Sequence, residues 1–322
     1  MTDALLTTDT GPTDTGTTDT GAPPPRPVRF ASASPTILPD IARGPRHAPP
    51  VELCGELHLP ADTSGPVPAC VVLQGLGGPM PAREGAYGRL LADAGCAGLV
   101  IDGFAARGIR SRTDTMRALR LTEAMMLADA FAALAYLAER PEIDAGRIHV
   151  VGFSYGGMIA MLCAYRQIAD LYARSAHRFA GHISYYGCSI ARLDAPATTG
   201  SPVLLLVGGR DGNVSVPRSH AIADDMQRGG SPVRLVVYED ACHQWDGEDE
   251  TPRHVNFNLR NCRMRVAPDN TITDERTGLR MRGATSRALL IATAADPRGY
   301  TILRDRATTR RSNAALVSMV KG

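Results

Sequence analysis

Three residues far apart in the chain have the types and local settings of a nucleophile, an acid and a base. Ser154 lies in Gly152-Phe153-Ser154-Tyr155-Gly156, where a β-rich run from Ile148 to Val151 passes straight into an apolar helical stretch. Glycines two before and two after let strand and helix approach closely, so the serine is held on a strained turn at the strand tip. A serine hydroxyl is a poor nucleophile until a base takes its proton, and the imidazole that does so must be held in one tautomer by a carboxylate. Both groups follow downstream. Asp211 sits 57 residues beyond Ser154, in the turn after the apolar run PVLLLVGG, and His243 lies 32 further on, after VRLVVYED. Each interval has room for one strand and one helix, and strand ends are where ligand and catalytic groups collect in open α/β sheets. The chemistry expected is acyl transfer through a serine ester.

Such chemistry also needs N–H donors for the oxyanion of the tetrahedral intermediate. Tyr155, next after the serine, supplies one. Leu76, in the glycine-rich turn Gly75-Leu76-Gly77-Gly78 after the run ACVVLQ, supplies the other. The remaining candidates fit less well: His149 falls inside a strand, His220 on a helix, and His254 in an irregular segment after Pro252. Asp240 is the rival acid, but only three residues from His243 it is poorly placed to reach the far edge of the imidazole.

The elements that must position these groups alternate from about residue 51. Short β-branched runs predict strands near 52–59, 69–74, 97–102, 147–152, 181–186, 202–207 and 233–238, with helical spacing over 84–94, 118–139, 155–167 and 215–228. Strands alternating with helices read as βαβ units, hence an α/β protein with a mainly parallel, doubly wound sheet flanked by helices. Residues 1–45, which open with TTDT and PTDT units and run into Pro23-Pro24-Pro25, read as a disordered Thr/Asp/Gly/Pro-rich tail. Residues 46–322 read as a single domain, with an irregular Arg- and Asn-rich extension from about 250 and helices near 285–295 and 312–320.

Composition narrows the function classes. At 322 residues with 44% hydrophobic and 21% charged residues, the chain holds a large core, and a net charge of +2 calls for neither nucleic acid nor membrane as partner. The expected partner is a small-molecule ester or lactone. Lysine occurs once, at Lys321, which excludes a P-loop and any Ser-Lys or Schiff-base mechanism built on a core lysine. Seven cysteines without a C-x-x-C pair argue against a zinc site and a disulfide framework, and no apolar run approaches the length of a membrane span and no export signal is visible, so a cytoplasmic location is expected.

Across roughly residues 51–245 the chain resembles the dienelactone hydrolase family of α/β-hydrolases. The resemblance is carried by QGLGG, DGFAARG at 102–108, ALAYLAERPEIDAGRIHVVGFSYGG, GGRDGNVSVP and YEDACHQWDG. It implies an α/β-hydrolase fold in which Ser154, Asp211 and His243 act together, with no metal and no organic cofactor, on a carboxylic ester, lactone or thioester. An acyltransferase using the same three residues, or a catalytically inactive binding protein of this fold, are the alternatives. Two departures stand out. Dienelactone hydrolases proper have cysteine where this chain has Ser154, and many relatives have histidine in place of Gln74. No basic residue stands just after His243, where Gly247, Glu248, Asp249 and Glu250 are found instead. Arg107 and Arg110 are therefore the candidates for a substrate carboxylate, and Phe104 and Trp245 for the walls of the pocket.

Overall fold

The computed structural model describes residues 23–62, 64–111 and 113–322. Eight strands form the main sheet: β1 (Arg26–Ala33), β2 (Pro50–His58), β3 (Val67–Leu73), β4 (Ala97–Asp102), β5 (Ile143–Phe153), β6 (Gly181–Tyr185), β8 (Val203–Gly208) and β9 (Val233–Tyr238). Their order is β1-β2-β4-β3-β5-β6-β8-β9. β1 pairs antiparallel with β2, and β2 antiparallel with β4, while every pairing from β4 across to β9 is parallel. The central strands are near-continuous apolar runs because helices cover both faces. In β3, for example, Ala69, Val71 and Leu73 enter one core and Cys70 and Val72 the other.

The first core lies under α3 (Glu123–Ala138), α4 (Tyr155–Leu162), α5 (Arg166–Tyr172) and α6 (Val216–Arg228), the second under α1 (Ala86–Asp93) and α8 (Arg306–Lys321). The single helix expected over 118–139 is two, α2 (Asp114–Arg120) and α3. The break falls at Thr122, whose hydroxyl accepts the amide of Met125 at 3.1 Å and so caps a new helix start. The stretch 155–167 likewise divides after Leu162, where the loop at 197–199 captures the chain through Thr199 N–H to Ala164 O at 2.8 Å and Arg166 N–H to Ala197 O at 2.9 Å.

One expectation about the ends is corrected. The tail was expected to run to residue 45, yet β1 forms the sheet's edge and a 3-10 helix spans Leu38–Arg43; residues 1–22 lie outside the described residues. In the extension from 250 the helices expected near 285–295 and 312–320 form, and the rest is very short strands: β10 (Arg253–Val255) paired with β14 (Tyr300–Ile302), and β13 (Arg280–Met281), β12 (Ile272–Asp274) and β11 (Met264–Val266), which in that order make a small sheet with β7 (Ala191–Leu193). Helix α7 (Ala284–Ala294) packs beside them. Among the described residues, no helix is long and apolar enough to cross a membrane.

Candidate active site

β5 runs into α4 through a turn so tight that two glycines are obligatory. A Cβ on Gly152 would sit 2.1 Å from the Gly156 carbonyl oxygen, and one on Gly156 would sit 2.5 Å from the Gln74 oxygen, both backbone atoms that cannot swing aside. Ser154 between them has φ 55°, a left-handed value that strains a non-glycine residue. The strain is held by the Ser154 N–H donating to Tyr185 O at 2.9 Å, and by its carbonyl accepting from Met158 and Cys188.

The loops after β8 and β9 bring the other two groups to the same place. His243 Nε2 lies 2.9 Å from Ser154 Oγ, and its Nδ1 lies 2.6 Å from Asp211 Oδ2. The second oxygen of Asp211 accepts the amides of Asn213 at 2.7 Å and Val214 at 3.2 Å, which fixes the carboxylate's rotation. The imidazole is itself pinned between the rings of Tyr186 and Tyr300, each with its centroid 4.8 Å away. All three side chains are buried. Asp240, the rival acid, is exposed.

The amide of Tyr155 opens α4, where a helix N–H has no intrahelical acceptor and the helix dipole favours negative charge. Leu76 lines the same small cleft as Ser154. The Tyr155 side chain turns away into the first core, where its hydroxyl donates to Glu123 Oε2 at 2.8 Å and accepts from Arg287 at 2.9 Å.

The other expected pocket residues are placed elsewhere. Trp245 is fully buried in the second core against Tyr186 and Tyr238 and is not among the residues lining the cleft at Ser154. Arg107 spends its five N–H donors on the Asp129 carboxylate, Ser34 Oγ and the carbonyls of Ala33 and Gly103, tying β1 to α3 rather than meeting a ligand. Phe104 and Arg110 border a neighbouring surface groove, not the cleft at Ser154.

What the sequence reading missed is the contribution of the extension. Phe257, Leu259 and Tyr300 wall the cleft, and Asn213 joins them to the acid turn by accepting the Leu259 amide at 2.9 Å. Cys188 also lines it, its sulfur 4.0 Å from Ser154 Oγ. Burial pushes the Cys188 thiol up to about 12, so it stays a neutral thiol beside the serine. Among the described residues, no group of three or more His, Cys, Asp or Glu is placed to hold a metal ion.

The family model for the dienelactone hydrolase family matches residues 55–256. The chain belongs to the dienelactone hydrolase family. It is thus an ester hydrolase of the α/β-hydrolase superfamily. A Methylorubrum extorquens protein assigned as a carboxymethylenebutenolidase is 23% identical over 223 residues, 61% of this chain and 73% of the relative. Among solved structures, a dienelactone hydrolase-like promiscuous phosphotriesterase from metagenomic libraries superposes with a TM-score of 0.56 at 18% identity, over 93% of this chain and 98% of that one. A protein assigned as a dienelactone hydrolase from Klebsiella pneumoniae gives a TM-score of 0.50 at 19% identity, over 68% and 88% of the two chains. At these identities the structural likeness speaks for the fold.

Proposed function

We propose that this dienelactone hydrolase family member is a serine hydrolase that cleaves small carboxylic esters, lactones or thioesters through an acyl-enzyme on Ser154. The observation that carries the reading is the continuous chain from Ser154 Oγ through the imidazole of His243 to Asp211, at 2.9 and 2.6 Å, made by three separate loops. His243 Nε2 takes the serine proton as Oγ adds to the carbonyl, and Asp211 stabilises the imidazolium without itself being protonated. The amides of Tyr155 and Leu76 receive the oxyanion. His243 then returns the proton to the leaving alcohol or thiol, and repeats the base role with a water that releases the acid.

Arg107 has no donor to spare for a substrate carboxylate, so uncharged esters and lactones fit this cleft better than a dienelactone acid. The test is a panel of p-nitrophenyl esters and small lactones against wild type and Ser154→Ala. Wild type is expected to turn over at least one short ester, and the variant to lose activity on the order of 10³-fold or more. Equal rates in the two proteins would remove Ser154 from the mechanism.

A further inference from the structure

Behind the wall of the cleft lies a second space. A cavity of about 50 Å³ runs along α4 between the nucleophile helix and the small sheet of the extension. Tyr155, Met158 and Leu162 form one side, and Met264, Ile272 and Met281 form part of the other. Its two charged neighbours offer a ligand nothing: Arg287 and Glu123 are paired with each other at 2.8 Å, and Arg287 also bonds Tyr155 and the Ala118 carbonyl. A cavity with apolar walls and satisfied polar groups does not favour water and takes apolar groups.

Leu259 borders both the cavity and the cleft that holds Ser154. Its backbone is fixed by Asn213, which leaves the side chain as the movable part. Met158 lies one helical turn beyond the nucleophile, which puts the cavity within reach of a chain bonded to Ser154. The outer groove bordering the same cleft is of another kind: it is wide, and Thr113, Thr115, Asn256 and His254 give it a polar lining suited to a leaving group and water.

We propose that this cavity is the acyl-chain site: Leu259 rotates aside and a short, unbranched, apolar acyl group of the substrate enters along α4 while its carbonyl is held at Ser154. The proposal rests on the serine-hydrolase reading above and adds the substrate class, esters with a small aliphatic acyl group. It also gives the extension a task, because the far wall is built from residues beyond the family-matched segment. Three methionines in the lining adapt readily to chains of different length.

The test compares kcat/KM for p-nitrophenyl acetate, butyrate and hexanoate in wild type, Ile272→Phe and Met281→Ala. Each buried methylene is worth about fourfold, so wild type should prefer butyrate to acetate by about tenfold or more. Ile272→Phe fills the far end and should reduce that preference to within about threefold of unity; Met281→Ala enlarges it and should move the preference toward hexanoate. Opposite shifts from the two variants do not arise from general destabilisation, and melting curves confirm that each is folded. A butyrate-to-acetate ratio unchanged in both variants overturns the acyl site. Absence of turnover of every ester by wild type overturns the serine-hydrolase reading instead.

Discussion

Replacing Arg287 by methionine should weaken the fold by stranding a buried carboxylate, since among the described residues no other cation is bonded to Glu123. Arg287 makes three charge-assisted bonds to Glu123, at 3.4, 3.0 and 2.8 Å, and further bonds to Tyr155 Oη and the Ala118 carbonyl. Burial by itself raises the pKa of Glu123, but the charge and hydrogen bonds of Arg287 outweigh it and the net shift is downward. Removing one partner of a buried pair costs about 3–5 kcal/mol. At roughly 2 °C per kcal/mol for a chain of this size, the melting temperature should fall by roughly 6–10 °C. In wild type the lowered pKa makes Glu123 stabilising above its unfolded value, a contribution lost as pH falls through the folded value. In Arg287→Met only the Tyr155 hydroxyl and a backbone N–H still oppose burial, so the shift should turn upward and the variant be penalised as pH rises through the raised value. The deficit relative to wild type should therefore be larger at pH 8 than at pH 5. Adding Glu123→Gln removes the stranded charge and should recover part of the loss, leaving about 1–3 kcal/mol for the unpaired Ala118 carbonyl. Urea titrations of wild type, Arg287→Met and the double variant at both pH values read these quantities. A cost below about 1 kcal/mol, equal at the two pH values and untouched by Glu123→Gln, would refute the reasoning.

Asp211→Asn should keep the fold but lower kcat on the order of 10³- to 10⁴-fold, because the amide favours the wrong imidazole tautomer; steady-state kinetics with intact thermal unfolding check this. Gly156→Ala must displace the Gln74 carbonyl, which its Cβ would approach to 2.5 Å. It should cost about 1–3 kcal/mol in denaturant titrations and also reduce turnover, since the adjacent Tyr155 amide moves with it. Cys188→Ala should retain turnover within about tenfold of wild type, as a neutral thiol takes no part in the proton transfers, and kinetics at fixed pH measure it.

The sheet was legible because its central strands are buried on both faces and therefore read as short apolar runs between helical stretches. The elbow was legible because close approach of strand and helix admits only glycine at 152 and 156. Asp211 and His243 were picked out as an expected acid and base at later strand ends, and the structure sets both side chains in line with Ser154. Side-chain direction was not legible. Trp245 stands two residues from His243, yet the intervening Gln244, at φ 54°, turns the chain so that the indole enters the second core. Arg107 lies near a loop expected to face substrate, but a buried Asp129 on α3 claims it. β1 was hidden because an edge strand with mixed exposure and a proline at its second position lacks a strong alternating pattern. The extension was hidden for a related reason: strands of two or three residues carry no periodicity, so nothing marked Phe257, Leu259 or Tyr300 as walls of the cleft.

In the proposed mechanism one hydroxyl, that of Ser154, becomes covalently acylated. Rapid quenching of the protein during turnover of a p-nitrophenyl ester, or its reaction with an alkyl fluorophosphonate, followed by intact-mass and peptide mass spectrometry, observes that bond directly. The account predicts one adduct, on the peptide containing Ser154, absent in Ser154→Ala and absent from Cys188. An adduct on any other residue, or fluorophosphonate labelling that persists unchanged in Ser154→Ala, would contradict it.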